Sequence, residues 1–424
     1  MRVRVRPVDH VEGEVEALPS KSYTHRLIFS SLLATGESQI EGMLIAGTTL
    51  VALRAARKFG AEIEGALVRP PDRLRAPPYV YCGGSGTTIR LATAVAALVG
   101  GPTILYGNSS LNRRPMAPLV ESLRELGAEV LSRDGFPPVA VRASKLARGV
   151  RVRVDGSKSS QFVSALLLIA PLLELEVEVV GELKSSPYVD MTVEVMSWFG
   201  ARVHVEGRSL FIAEPLDGYR PARVKVPGDF SLASFPLALG ALAGRVRVTG
   251  LSTRTKQGDR AVVEILREMG AKVRVGDAAV EVERADPLEG VEVNCSDTPD
   301  LVPVLAALAA HARGVTVLKG VEHLAYKESD RLRSLVSNLR RLGVHAEARE
   351  GSLVVRGGRV RGGTVSSYGD HRIAMAMAVA ATRAEGPVVI SGFEKHRESY
   401  PSFIDDLRKL GVVVEVIGRA RGKI

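Results

Sequence analysis

The stretch Leu123–Ser132, "LRELGAEVLS", decides the fold. An amphipathic helix pattern ends at Leu126, Gly127 follows, and an alternating strand pattern begins at once. Glycine takes the left-handed position after a helix without steric cost, so it ends the helix and turns the chain into a strand. The same joint recurs as "ARKFGAEIEG", "MSWFGARVHV", "LREMGAKVRV", "LRRLGVHAEA" and "LRKLGVVVEV". Its glycines, Gly60, Gly127, Gly200, Gly270, Gly343 and Gly411, lie roughly 70 residues apart. That spacing is far too long for a tetratricopeptide or ankyrin solenoid.

A second joint accompanies the first. In "LALGALAGRVRVTGL" and "LAALAAHARGVTVLKGV" an Ala/Leu-rich helix gives way, through a short glycine-containing turn, to a β-branched strand. These helices have little polar face and are predicted to be buried. Six units of two helices and several strands result, which suggests two α/β domains of three units each. Periodicity alone leaves open whether sheets or helices lie innermost.

Composition narrows the class. A chain of 424 residues exceeds one ordinary core. Apolar residues make up 46% and charged residues 25%, a soluble balance, and no run of 18 apolar residues is present. The opening "MRVRVRPVDH" reads as a strand and lacks the apolar core of a signal peptide, so a cytoplasmic protein without membrane contact is expected. The two cysteines, Cys82 and Cys295, sit in no CxxC or Cys/His pattern, so neither a disulfide framework nor a metal site is expected. The net charge of +10 suits anionic partners. The basic residues are dispersed and aromatics are only 5%, so nucleic-acid binding is not expected.

Chemistry gathers at five predicted helix starts. They are "PSKSYTHR", "YCGGSGTTIR", "VDGSKSSQF", "CSDTPDLVP" with the later "KESDRLRSL", and "SSYGDHRIAMA". Unpaired backbone N–H groups and the positive end of the helix dipole make such places receptive to anions. Each stretch also has a plainer reading as helix capping. His371 and Arg372 at a helix start oppose the dipole, a placement that a bound anion would offset. Together the five suggest a site for several phosphate and carboxylate groups, with Asp300 and Glu328 left as spare carboxylates for acid–base work. No GxSxG nucleophile and no HExxH metal motif is present.

The motifs "LPSKSYTHR", "GSGTTIR", "NRRPM", "DGSKSSQF", "DTPDLVP", "KESDR", "GDHRIAMA" and "SYPSF" occur in this order along nearly the whole chain. In this the chain resembles the 5-enolpyruvylshikimate-3-phosphate synthases. The resemblance implies an α/β fold of two similar domains, each of three βαβαββ repeats with buried helices. It implies chain crossings that divide residues 1–19 plus 228–424 from residues 20–227. The implied reaction moves the enolpyruvyl group of phosphoenolpyruvate onto the 5-hydroxyl of shikimate 3-phosphate and releases phosphate. No cofactor is implied, and a monomer is expected.

By resemblance, shikimate 3-phosphate is held by Lys21, Ser22, Arg26, Ser159, Ser160, Gln161, Ser185, Tyr188, Asp300 and Lys327. Phosphoenolpyruvate is held by Lys21, Gly86, Arg114, Gln161, Arg331 and Arg372. Catalytic roles fall to Asp300, which takes the 5-hydroxyl proton, Glu328, which exchanges a proton at the methylene carbon, Lys21 and His371. Thr24 and His25 receive no ligand. The chain departs from many relatives at Gly84 and His323, where they carry Asn, and at Glu398, where they carry Lys; Lys395 or Arg397 could supply the missing charge. The alternatives are a UDP-N-acetylglucosamine enolpyruvyl transferase and an RNA-end-processing or RNA-binding protein.

Overall fold

The computed structural model describes residues 1–284 and 286–418. The chain divides into two units: Pro19–Val226, and Met1–Leu18 together with the chain from Pro227 onward. All six joint glycines have positive φ, between +80° and +115°. An Ala there would be strained, so the left-handed turn between helix and strand is written into each repeat.

The described residues form six four-stranded sheets, three in each unit. All share one pattern, a parallel pair followed by two antiparallel neighbours. In the Pro19–Val226 unit the strand Arg151–Asp155 runs parallel to Glu176–Val180, which pairs antiparallel with Leu210–Ala213, and this in turn with Val203–Glu206. The first sheet of that unit is completed by Arg223–Lys225, from the end of the unit, parallel to Ser38–Glu41. In the other unit the N-terminal strands do the completing. Val11–Glu16 lies parallel to Gly244–Thr249, while Arg2–Val5 sits between Val388–Ser391 and Val414–Gly418.

Strand alternation puts one face inward. Val152 and Val154 are buried and Arg151 and Arg153 exposed, the latter pairing with Glu176 and Glu178 on the next strand at 2.8 and 3.0 Å. Arg245–Glu281 and Lys272–Glu283 repeat this on another sheet. Much of the dispersed basic charge is therefore met by glutamates across exposed strands.

Each repeat contributes one amphipathic helix that ends at the joint glycine and one apolar helix in the core. The apolar helices are Lys21–Leu32, Gly86–Val99, Ser160–Leu173, Phe230–Ala243, Val302–Ala309 and His371–Ala381. Phe230–Ala243 is buried along its whole length. Helices thus occupy the interior of each unit, which the residues alone left undecided. None of the described helices is long and apolar enough to cross a membrane.

Candidate active site

In the Pro19–Val226 unit three core helices begin with the predicted polar residues. Their N-caps are Ser20, Ser85 and Ser159. Capping therefore falls to Ser20, and Ser22 in the first turn is not used for it. Ser160 is buried, while Ser159 and Gln161 are half-buried.

Gly86 is the point of convergence. A Cβ built on it would lie 2.5 Å from Arg90 Nη1, 3.1 Å from Gln161 Oε1 and 3.3 Å from Arg114 Nη1. Polar groups from two repeats thus meet at a backbone with no side chain, where a small anion could approach the amides of a helix start. Arg90 holds this together: it donates to Gln161 Oε1 and, at 2.9 Å, to the Pro115 carbonyl beside Arg114, and it lies over the Phe162 ring. Arg114 also donates to Ser110 Oγ at 3.2 Å. At Gly84 a Cβ would come 3.1 Å from the Asn108 amide nitrogen, so the Asn108 amide borders this glycine.

Arg26 is buried and binds Thr192 Oγ1 at 2.8 Å, the Ser22 carbonyl at 2.9 Å and the Tyr188 carbonyl at 2.7 Å. Burial pulls its pKa down to about 10. Its guanidinium lies over the Tyr188 ring, so Arg26 and Tyr188 form one assembly with Ser22. Ser185 is buried with φ of +59°, a conformation uncommon outside glycine and frequent at binding sites. Lys21 and Ser22 are half-buried at the start of their helix.

The other unit carries the carboxylates. Arg331 is 1% exposed and faces three of them: Asp300 Oδ1 at 2.7 Å, Glu328 Oε2 at 2.8 Å and Asp370 Oδ2 at 2.8 Å. Burial would lower its pKa, yet Asp370, Glu328 and Asp300 hold it well above the ordinary arginine value. Arg372 pairs with Asp300 Oδ2 at 2.9 Å. Asp370 also accepts from the Arg372 backbone N–H at 2.9 Å, capping its helix. His371 is fully buried beside it, its Nδ1 4.0 Å from Asp370 Oδ1. Lys327 and Glu328 lie between the short turn Glu322–Tyr326, which contains buried His323, and the helix Arg331–Arg341.

Three expectations change here. Asp300 and Glu328 are not spare, because buried arginines need counter-charges and these carboxylates supply them. The opposition of Arg372 to the helix dipole is offset by Asp300, with no bound anion required. The plainer capping reading also fails for Asp300: the helix Val302–Ala309 has Leu301 as its N-cap and Pro303 in its first turn. At the C-terminal edge Lys395 Nζ pairs with Glu398 at 2.8 Å, so the charge expected of Lys395 meets a local acid.

Sequence reading missed Asp259 in "KQGDRA". It is buried, and burial followed by the charge of Asp300 pushes its pKa up to about 7. Neighbouring Gln257 donates to the Gly228 carbonyl at 2.8 Å and accepts from the Phe230 N–H at 3.0 Å, at the mouth of a fourth core helix capped by Asp229. The recurrence of Gly-Asp before an apolar helix, Gly228-Asp229 as in Gly369-Asp370, marked this helix mouth in the sequence but not Asp259 itself. Among the described residues no cluster of His, Cys, Asp and Glu could hold a metal ion. Both cysteines are buried with pKa values pushed up by burial, Cys295 to about 12.

The pattern of the family EPSP synthase (3-phosphoshikimate 1-carboxyvinyltransferase) matches residues 5–407. A 3-phosphoshikimate 1-carboxyvinyltransferase of Aeropyrum pernix is 50% identical over 98% of this chain and 97% of its own. One of Thermococcus kodakarensis is 47% identical over 96% of this chain and 99% of its own. Among solved structures, an EPSP synthase from Acinetobacter baumannii superposes with a TM-score of 0.80 at 27% identity, covering 98% of this chain and 100% of that one. An enolpyruvyl transferase from Streptomyces tendae shares the fold, with a TM-score of 0.76 at 20% identity, covering 98% of each chain.

Proposed function

The chain belongs to the EPSP synthase family, and on that premise we propose how its residues divide the work of the reaction. Its activity is that of a 3-phosphoshikimate 1-carboxyvinyltransferase of the shikimate pathway: the enolpyruvyl group of phosphoenolpyruvate passes to the 5-hydroxyl of shikimate 3-phosphate and phosphate leaves. The relatives named for this activity leave no ground for preferring a UDP-N-acetylglucosamine enolpyruvyl transferase.

In our reading Ser22, Arg26, Ser159, Ser160, Ser185, Tyr188 and Lys327 hold shikimate 3-phosphate. Lys21, Gly86, Arg114, Gln161, Arg331 and Arg372 hold phosphoenolpyruvate, and Lys21 and Gln161 also border the shikimate ring. The convergence of Arg90, Arg114 and Gln161 on Gly86 supports the donor placement.

The observation that carries the mechanism is the Asp300 carboxylate paired with both Arg331 and Arg372. A carboxylate engaged by two guanidiniums is a poor base. Phosphoenolpyruvate brings a carboxylate and a phosphate that compete for the same arginines. As they take Arg331 and Arg372, Asp300 is released to accept the 5-hydroxyl proton while the oxygen attacks C2. Glu328, once released from Arg331, takes up a proton from solvent and passes it to the methylene carbon; on collapse of the tetrahedral adduct it takes one back as phosphate departs. Lys21 and His371 are proposed to stabilise the departing phosphate. We further propose a cytoplasmic monomer, since the residues assigned to both substrates come from one chain.

Mixing the purified protein with shikimate 3-phosphate and phosphoenolpyruvate should release phosphate. Release with UDP-N-acetylglucosamine as acceptor, and none with shikimate 3-phosphate, would overturn the reading.

A further inference from the structure

His25 lies in the first motif but has received no role. It is 1% exposed, on the same face of the helix Lys21–Leu32 as Lys21, one turn away. Its Nδ1 is 2.8 Å from the Lys21 carbonyl, and its Nε2 is 3.2 Å from both Ser85 Oγ and the Thr48 carbonyl. Burial holds the ring neutral, with a pKa lowered to about 4; the bond to the Lys21 carbonyl offsets part of this, and the charges of Lys21 and Arg26 add to it.

A neutral imidazole has one N–H, and the partners assign it. Were Nδ1 bare, its lone pair would face the Lys21 carbonyl oxygen at 2.8 Å. Nε2 also faces a carbonyl, that of Thr48, but at the longer 3.2 Å; the shorter contact takes the proton, so Nδ1 donates to Lys21 and Nε2 accepts from the Ser85 hydroxyl. Ser85 Oγ in turn accepts from the Thr88 hydroxyl at 2.8 Å and the Thr88 backbone N–H at 3.2 Å, as the N-cap of the helix that starts at Gly86. One ring thus spans from the first residue of one core helix to the cap of the next.

We propose that His25, as the Nδ1–H tautomer, is a positioning residue that fixes Lys21 against Gly86 and so sets the phosphoenolpyruvate half of the binding site. This rests on the division of residues proposed above. The shikimate 3-phosphate residues of the same helix, Ser22 and Arg26, lie on its neighbouring face and are held by other partners: Arg26 donates to Thr192, Ser164 and the Tyr188 carbonyl, and the Ser22 carbonyl accepts from Arg26. A defect at His25 therefore falls on one substrate and not the other.

Two substitutions separate the ends of the ring. His25→Gln extends an amide oxygen to where Nε2 accepts from Ser85. His25→Asn places an amide N–H near Nδ1 and falls short of Ser85. With wild-type turnover of both substrates verified first, His25→Asn should raise KM for phosphoenolpyruvate about tenfold while KM for shikimate 3-phosphate stays within about twofold, and His25→Gln should restore most of the loss. In a Ser85→Ala background the effect of His25→Asn should disappear, because the two residues act as one link. Equal changes in both KM values, no rescue by His25→Gln, or an undiminished effect in the Ser85→Ala background would each overturn the proposal. Should His25→Asn fail to fold, Ser85→Ala itself is measured in the wild-type and His25→Gln backgrounds. A rise in KM for phosphoenolpyruvate alone supports the link, and an equal rise for both substrates overturns it. Absence of turnover in the wild type would instead refute the division of residues on which the proposal rests.

Discussion

Asp300 accepts from Arg331 Nη1 at 2.7 Å across 31 residues of chain, joining the residue proposed as base to the arginine proposed to bind its co-substrate. Asp300→Ala should lower turnover about a thousandfold, the range of a lost general base. It should leave KM for phosphoenolpyruvate unchanged or lower, because the carboxylate that competes for Arg331 and Arg372 is gone. Steady-state kinetics with both substrates varied checks this, and an unchanged kcat would remove Asp300 from the chemistry.

Arg331 serves three carboxylates from a site 1% exposed to solvent. Replacing it by Met leaves buried negative charges without their cation, which costs about 3–5 kcal/mol. Urea unfolding of Arg331→Met should show this as a large fall in midpoint. Arg331→Lys should recover only part of it, since an ammonium cannot present the guanidinium fork to three acceptors.

Gly86→Ala places a methyl 2.5 Å from Arg90 Nη1. Arg90 is tied to Gln161 and the Pro115 carbonyl, so it cannot swing away without releasing them. We expect KM for phosphoenolpyruvate to rise about tenfold with little change in stability. Isothermal calorimetry with phosphoenolpyruvate, beside thermal unfolding, separates the two effects; unchanged affinity would refute the placement.

Acid should unfold the protein partly through its buried histidines. Burial lowers the pKa of His25 and of His311 from 6.5 to about 4, offset in part by the Lys21 and Ala380 carbonyls they bind. The unfolded chain binds these protons first, so the stabilisation is complete above pH 6.5 and is lost as pH falls from there towards 4. Each group contributes up to about 3 kcal/mol over that window. His311→Gln keeps a donor for the Ala380 carbonyl, 2.8 Å away, and removes one titration. Its unfolding free energy should fall less steeply between pH 6.5 and 4 than that of the wild type; an identical slope would contradict the burial argument.

Much of the fold was legible because its rules are local. The left-handed glycine after each amphipathic helix, the valine–arginine alternation of the strands and the apolar helices all depend on neighbours within a few residues. The site was legible as residue types at helix starts, since capping and dipole effects are also local. Its pairings were not. Asp300 looked spare because Arg372 stands 72 residues away, and Asp259 carried no local sign of burial beside Asp300.

The amino-acid sequence by itself determined the six repeats, the polarity of each helix start and, through the order of its motifs, the family. Tertiary structure decided which strand completes each sheet, placing Arg2–Val5 between strands nearly 400 residues on, and that helices fill the interior of each unit. It also decided that Asp300 answers two arginines and that His25 reaches Ser85. Periodicity records only which face of an element is apolar, whereas burial and charge pairing depend on what the folded chain brings against that face.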